Sequence, residues 1–211
     1  MGPGMARGLL IALEGIDGSG KSTQAELLAA ALQKLGRAVV LTREPTNGRT
    51  GQKLRRYLQG PSRHLSPQEE LQLFVADRRE HVARLVGPAL EAGKIVISDR
   101  YYYSSVAYQG ALGLDPHQIL ALNESFAPCP ALVFVLNLPV DQAMKRLARK
   151  GKGGLQVSES PVYLQQVAAI YAGLQGPHIR QLDATLPPAR VHQILLKETT
   201  RELRRLEAES P

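Results

Sequence analysis

The stretch that decides the fold is IALEGIDGSGKSTQ, residues 11–24. A hydrophobic run breaks into glycines, reaches a lysine followed by two hydroxyl residues, and continues as a helix pattern. Gly15, Gly20, Lys21 and Ser22 match G-x-x-x-x-G-K-[ST] without a mismatch. Glycines let the backbone approach an anion, and the amides of such a loop and of the next helix point at phosphate oxygens. The stretch therefore predicts a phosphate loop for a nucleoside triphosphate, and a glycine-rich turn without a ligand is the alternative.

The residues of this loop have different expected tasks. Lys21 is expected to pair with the β- and γ-phosphates, and the Ser22 hydroxyl to bind Mg²⁺. The predicted nucleotide contacts of the loop are Gly15, Ile16, Asp17, Gly18, Ser19, Gly20, Lys21, Ser22 and Thr23. Asp17 is the unusual member, because its carboxylate would repel a phosphate. A side-chain cap that stabilises the loop is its alternative role.

Outward from the loop, short apolar runs alternate with longer helical patterns. The runs occupy residues 9–14, 38–42, 94–98, 131–138 and 178–183. The helical patterns occupy residues 21–35, 50–60, 67–92, 115–127, 139–150, 161–174 and 187–207. The runs are mostly continuous, as in parallel strands that are buried on both faces. The alternation predicts an α/β fold in which helices flank a five-stranded parallel sheet, with residues 1–211 as one domain.

Composition narrows the class of protein. The 211 residues are 44% hydrophobic and 21% charged, which is ordinary for one globular domain. The net charge of +7 favours phosphate-bearing partners, but the charges are dispersed, so we expect no nucleic-acid partner. We find no apolar stretch of membrane-spanning length and no secretory signal, and we expect no membrane partner. A single cysteine, Cys129, excludes an internal disulfide and favours a cytoplasmic location.

Three further blocks accompany the phosphate loop. They are TREP at 42–45, LFVADRREH at 73–81 and DRYYYSSVAYQG at 99–110. In this order and spacing the four blocks resemble bacterial-type thymidylate kinases, which are phosphate-loop nucleoside monophosphate kinases, over nearly the whole chain. The resemblance implies a P-loop NTPase three-layer sandwich with a short mobile lid at about residues 145–158. It also implies ATP and Mg²⁺ as cofactors, phosphorylation of dTMP to dTDP for dTTP synthesis, and a homodimer.

The resemblance implies a set of residues on the acceptor side. The implied dTMP-binding residues are Asp17, Arg43, Glu44, Pro45, Phe74, Arg78, Arg100, Ser105, Tyr108 and Gln109. In the family the phenylalanine stacks on thymine, the arginine contacts the base or the phosphate, and Tyr108 stands where an aromatic disfavours a 2′-hydroxyl. Phe74 and Arg78 lie four residues apart and so share a helix face. A core phenylalanine beside a surface arginine is the alternative.

The remaining implied residues serve the transfer itself. Catalytic roles fall to Lys21, Arg100, Asp17 and Arg149, metal binding to Ser22, Asp99 and Asp17, and adenine contact to Ala184. The variable loop positions 16–19 carry no cation, so the lid segment KRLARKGKGG at 145–154 is expected to supply one. Arg149 is preferred there because a guanidinium matches phosphate bidentately. A basic helix end without a catalytic role is the alternative.

Two other functions compete with this interpretation. The nearer one is a kinase for another nucleoside monophosphate or for a deoxynucleoside. The other is a phosphate-loop NTPase that acts as a switch, which would need no acceptor pocket.

Overall fold

The computed structural model describes residues 8–60, 64–149 and 160–209. Within these ranges the sheet has five strands in the order β2-β3-β1-β4-β5, and all neighbouring strands are parallel. The strands are β1 Leu9–Glu14, β2 Val39–Arg43, β3 Ile95–Asp99, β4 Leu132–Asn137 and β5 Ile179–Asp183. All five predicted strands are thus confirmed.

The burial of the strands follows their position in the sheet. All six residues of β1, in the centre, are buried, whereas both edge strands are partly exposed. A central strand of a parallel sheet is covered on both faces, and this is why LLIALE reads as a continuous apolar run.

Helices flank the sheet on both faces. They are α1 Lys21–Lys34, α2 Arg49–Leu58, α3 Pro67–His81, α4 Gly87–Glu91, α5 Tyr102–Gly110, α6 Pro116–Glu124, α7 Val140–Arg149, α8 Pro161–Gly173 and α9 Pro188–Ala208. The connections between parallel strands are right-handed crossovers. The connection from β1 to β2 runs toward one edge of the sheet and puts α1 on one face. The later connections run toward the other edge, so their helices lie on the opposite face. The contacts agree, because α1 packs against α9, and α5 packs against α3, α6 and α8. The α/β sandwich predicted from the sequence is confirmed.

Two helical predictions need correction. The single helix expected over 67–92 is interrupted, because a π-helical turn at Val82–Val86 separates α3 from α4. Pro88 lacks an N–H, so a regular ladder cannot continue unbroken through this position.

The second correction is α5, which the helical pattern did not reveal. Residues 102–109 are buried all round the helix, so no polar face gives a 3.6-residue period. The described residues contain no helix that is both long and apolar enough to cross a membrane.

Candidate active site

The phosphate loop joins β1 to the N-terminus of α1. Lys21 is buried, and its Nζ donates a hydrogen bond to the Ile16 carbonyl oxygen at 2.9 Å. Burial lowers the pKa of Lys21, since the charged form is poorly solvated there. Ser19 Oγ is also buried and has no hydrogen-bond partner among the described residues. A loop that holds its lysine back on a carbonyl and leaves a hydroxyl unpaired is suited to a phosphate.

The backbone at Gly18 leaves no space for a side chain. Its φ is 85°, and a Cβ there would lie 2.7 Å from the carbonyl oxygen of Ala143 in α7. A cation therefore cannot stand at this position of the loop. Instead α7 itself brings a guanidinium, because Arg146 donates to the Ala184 carbonyl at 2.9 Å and to the Gly18 carbonyl at 3.5 Å.

Arg146 belongs to the predicted lid segment, from which the sequence interpretation chose Arg149 as the catalytic cation. It connects the phosphate loop to the loop after β5, which contains Ala184. Arg149 is the exposed last residue of α7. The rest of the expected lid, residues 150–158, lies outside the described residues, and so does the prediction of its mobility.

A hydroxyl and a carboxylate meet at the start of α1. Ser22 Oγ donates to Asp99 Oδ2 at 2.5 Å, and Asp99 Oδ1 is buried without a hydrogen-bond partner among the described residues. The register of the sheet causes this meeting, since Asp99 ends β3 beside β1 and the phosphate loop. These hard oxygen atoms fit Mg²⁺, which takes few protein ligands and is completed by phosphates and water. No group of three or more His, Cys, Asp or Glu side chains suited to a metal occurs in the described ranges.

Asp17 lies between two cations. Arg100 Nη2 donates to Asp17 Oδ1 at 2.6 Å, and Lys21 Nζ lies 3.6 Å from the same oxygen. The Arg100 guanidinium, opposed by partial burial and helped by Lys21, holds the pKa of Asp17 well below its usual range. The carboxylate thus allows an arginine and a lysine, which repel each other, to lie at one edge of the loop.

Arg100 is held in an unusual backbone conformation. Its φ of 72° is in the left-handed region, which a non-glycine residue adopts only at a cost. The next turn is fixed by Glu14, whose carboxylate accepts hydrogen bonds from the Tyr101 and Ser104 amides at 2.8 and 3.2 Å and from Ser104 Oγ at 2.6 Å. Glu14 therefore acts as the N-terminal cap of α5 from a neighbouring strand.

The role of Glu14 was missed by the sequence interpretation, although a signal exists. An acidic side chain ends the otherwise apolar strand LLIALE and is fully buried. Burial raises the pKa of Glu14, and the hydrogen bonds from Ser104 and Tyr101 and the charge of Arg100 counteract the increase. A buried carboxylate in a core strand has to be satisfied by specific donors.

The predicted acceptor side lies where α3 faces α5. Residues spaced four apart lie on the same face of a helix, and this spacing relates three residues of α3 and two residues of α5. The facing residues are Glu70, Phe74 and Arg78 on α3 and Ser105 and Gln109 on α5. Phe74 is partly exposed, whereas the other four are buried. An aromatic ring flanked by buried polar side chains can hold a planar ring and contact its edge.

Arg78 is satisfied by the protein itself. Its Nε and Nη2 donate to Glu44 Oε2 at 2.9 and 2.6 Å, and Nη2 also reaches the Tyr101 carbonyl at 3.3 Å. Its Nη1 donates to Asn123 Oδ1 at 2.6 Å and to Ser105 Oγ at 3.2 Å. The guanidinium therefore positions Glu44 and Ser105, and its contact with a base stays a prediction.

The TREP block is anchored to α3. Glu44 Oε1 lies 3.0 Å from His81 Nδ1, and His81 Nε2 lies 2.8 Å from Thr42 Oγ1. Burial alone would raise the pKa of Glu44, but Arg78 and His81 hold it below its ordinary value. The peptide bond between Glu44 and Pro45 is cis. Glu44 is thus a buried structural anchor in this arrangement, whereas Arg43 is exposed.

Thr46 ties the loop after β2 to α3. The Thr46 amide and Oγ1 donate to the Asp77 carboxylate at 2.9 and 2.6 Å. Arg55, which the sequence interpretation missed, donates to Asn47 Oδ1 at 2.5 Å and to the Thr46 carbonyl. Side-chain hydrogen bonds therefore fix this loop next to a cavity of about 530 Å³. Ser22, Arg43, Thr46, His81, Arg84 and Asp99 are among the residues that line it.

Tyr108 lies against Arg100. The tyrosine is buried, its hydroxyl is 3.3 Å from Arg100 Nη2, and the guanidinium carbon is 5.1 Å from the ring centroid. The cation-π contact and the hydrogen bond place this ring beside the Asp17 cluster.

The geometry can be compared with known proteins. The family model described as thymidylate kinase matches residues 13–195. Thymidylate kinase from Desulfotalea psychrophila is 46% identical over 177 residues, which are 84% of this chain and 87% of the relative. The protein of the same name from Brachyspira hyodysenteriae is 41% identical over 179 residues, 85% of this chain and 87% of its own. The thymidylate kinase from Xanthomonas campestris pv. campestris is 47% identical over 178 residues, which are 84% of this chain and 77% of the relative. This chain belongs to the thymidylate kinase family.

Proposed function

We propose that this chain transfers the γ-phosphoryl group of ATP to dTMP and releases ADP and dTDP. The observation that carries the proposal is the link from the phosphate loop to Arg100 through Asp17. The phosphate loop alone is enough to bind a nucleoside triphosphate. A second guanidinium held at its edge gives a place for the phosphate of an acceptor.

The donor half of the site consists of the phosphate loop and α7. Lys21 and the loop amides bind the donor phosphates, and Ser19 Oγ is available for one of their oxygens. Arg146 lies where it can fix the loop against Ala184 on the adenine side. Arg149 is the candidate for charge stabilisation during transfer. A P-loop kinase needs little covalent chemistry, so positioning and electrostatics carry the reaction.

A divalent cation belongs to this proposal. Ser22 Oγ and the buried Asp99 Oδ1 would hold Mg²⁺, with Asp17 as a nearby carboxylate. When bound, Mg²⁺ supplies neutralising charge to the phosphates.

The acceptor half lies between α3 and α5. Arg100 and Arg43 are proposed to bind the dTMP phosphate, and Phe74 to stack on thymine. Ser105 and Gln109 contact the base edge, Tyr108 crowds position 2′ of the sugar, and Glu44, Pro45 and Arg78 complete the pocket. Gln109 Oε1 supports this assignment, since it is buried without a hydrogen-bond partner among the described residues.

The experiment is a coupled assay of ADP release across possible acceptors. The acceptors are dTMP, dUMP, UMP, CMP, GMP, thymidine and none. We expect turnover with ATP and Mg²⁺ to depend on dTMP and to be fastest with it. ADP release without any acceptor would support an NTPase switch instead, and faster turnover with another acceptor would reassign the substrate.

Assembly and location are part of the same proposal. We infer a cytoplasmic homodimer, in line with the single cysteine and the family resemblance. Light scattering after size exclusion should give twice the 23.0 kDa chain mass. A mass equal to one chain at micromolar concentration contradicts the dimer.

A further inference from the structure

Gln109 is one end of a series of three hydrogen-bonded side chains, one on each of three helices. Its Nε2 donates to Glu70 Oε1 at 2.9 Å, and the Tyr57 hydroxyl donates to Glu70 Oε2 at 3.0 Å. Glu70 and Gln109 are each only 1% exposed. Tyr57 lies on α2, Glu70 on α3 and Gln109 on α5, so the two hydrogen bonds hold one side chain of each helix against the next.

The hydrogen bond to Glu70 determines which way the Gln109 amide points. A carboxylate has only acceptor atoms, so the NH₂ group of Gln109 is the end that can face Glu70. The amide oxygen must then face the other way. That oxygen is buried and has no hydrogen-bond partner among the described residues, which is costly unless a ligand supplies a donor.

We propose that Glu70 is a positioning residue that fixes Gln109 Oε1 as an acceptor and so selects pyrimidine bases that carry an N3–H. This inference rests on the proposed function, in which dTMP is the acceptor. Thymine and uracil present a hydrogen at N3, whereas cytosine presents a lone pair there. A cytosine base would therefore set two acceptors against each other in a buried site, and such a site discriminates strongly.

The position of Gln109 in the pocket supports this role. One helical turn earlier on α5, Ser105 Oγ accepts from Arg78 Nη1, and Phe74 lies between Glu70 and Arg78 on the facing helix. A base stacked on Phe74 would thus present one edge to Ser105 and Gln109. Glu70 lies behind Gln109 and acts through it.

The test exchanges the carboxylate for an amide of the same shape. In Glu70→Gln, the Tyr57 hydroxyl can still donate to the new amide oxygen, while the new NH₂ group donates to Gln109. The Gln109 amide then turns its own NH₂ group toward the base. We expect the ratio of kcat/KM for dTMP to kcat/KM for dCMP to fall by at least about tenfold. The same ratio for dUMP and dCMP separates this effect from that of the 5-methyl group.

Two further variants sharpen the experiment. Glu69→Gln removes the same charge one residue away, where the side chain caps the N-terminus of α3, and glutamine also serves in such a cap. It should leave both ratios unchanged. Gln109→Ala should lower the dTMP to dCMP ratio by itself, and in this background Glu70→Gln should have no additional effect on it.

Each outcome decides the inference. Unchanged ratios in Glu70→Gln, or an equal fall in Glu69→Gln, overturn it. If Glu70→Gln does not fold, an unchanged ratio in Gln109→Ala overturns it as well. Failure of the proposed function is visible separately, because the wild-type chain would then not turn over dTMP at all.

Discussion

At the scale of single residues, Asp17 explains how two cations lie at one loop. The Arg100 and Lys21 charges approach the same carboxylate oxygen, so each is partly neutralised before any phosphate arrives. Because the Asp17 side chain is half exposed, we assign its effect to positioning rather than to stability.

Asp17→Asn should therefore impair the acceptor side. The amide keeps the shape but loses the charge that holds Arg100, so we expect kcat/KM for dTMP to fall at least about tenfold. The unfolding midpoint should change little. Steady-state kinetics with dTMP varied at saturating ATP measures the effect. Asp141→Asn, an exposed carboxylate paired with Lys145 on α7, is the control and should behave as wild type.

Arg149→Ala tests the cation at the end of α7. If its guanidinium stabilises the transferring phosphoryl group, kcat should fall on the order of 10²-fold with little change in KM. Lys145→Ala, an exposed cation one turn earlier on the same helix, serves as the control. A loss confined to KM for ATP would assign Arg149 to ground-state binding only.

At the scale of elements, the phosphate loop and α7 determine each other. Gly18 fits because the Ala143 backbone passes where a side chain would be. Arg146 then connects the same loop to the residues after β5. A helix thus provides here the charge that the loop cannot carry.

Gly18→Ala should lower the free energy of unfolding by more than the backbone strain of a left-handed alanine alone. The φ of 85° disfavours alanine, and its Cβ would lie 2.7 Å from a backbone oxygen that belongs to a packed helix. Gly36→Ala is a matched control, because its φ is 76° and no atom lies within 4 Å of the added Cβ. We expect Gly36→Ala to lose roughly 1–2 kcal/mol of unfolding free energy in urea. Gly18→Ala should lose more and should also raise KM for ATP. Equal losses with unchanged KM would contradict the contact with α7.

At the scale of the whole molecule, three tyrosines at the start of α5 link stability to pH. Burial raises the pKa of Tyr103 to about 12 and raises those of Tyr101 and Tyr102 as well. In the unfolded chain a tyrosine ionises near its ordinary pKa of 10.0. Below that pH both states are neutral and the stability is complete. Above it the unfolded chain loses its proton first, so stability falls as the pH rises toward the folded pKa.

Urea unfolding from pH 8 to pH 11 measures this loss. We expect a slope of up to about 1.4 kcal/mol per pH unit for each such tyrosine above the unfolded pKa. Tyr103→Phe should have a shallower slope than the wild-type chain. The difference in slope reports Tyr103 together with its effect on the pKa of the neighbouring Tyr102, and identical slopes would contradict the raised pKa of Tyr103.

The sequence by itself determined the elements and the donor loop. The motif with Lys21 and Ser22, the five strands and most helices follow from local periodicity and glycine spacing, which are properties of neighbouring residues. The helix α5 escaped this reasoning because burial on all sides removes the period. The family resemblance contributed the acceptor residues, whose contacts with substrate stay predictions.

Only the tertiary structure decided how the side chains pair. Asp17 and Arg100 are 83 positions apart in sequence and Glu70 and Gln109 are 39 apart, so no local signal shows that these groups meet. Arg78 likewise appears in sequence as a free helical arginine, and packing buries it against Glu44. The order of the strands and the crossing of α3 over α5 bring such groups together. A buried charge or amide must then be satisfied by whatever donor or acceptor the neighbouring element presents.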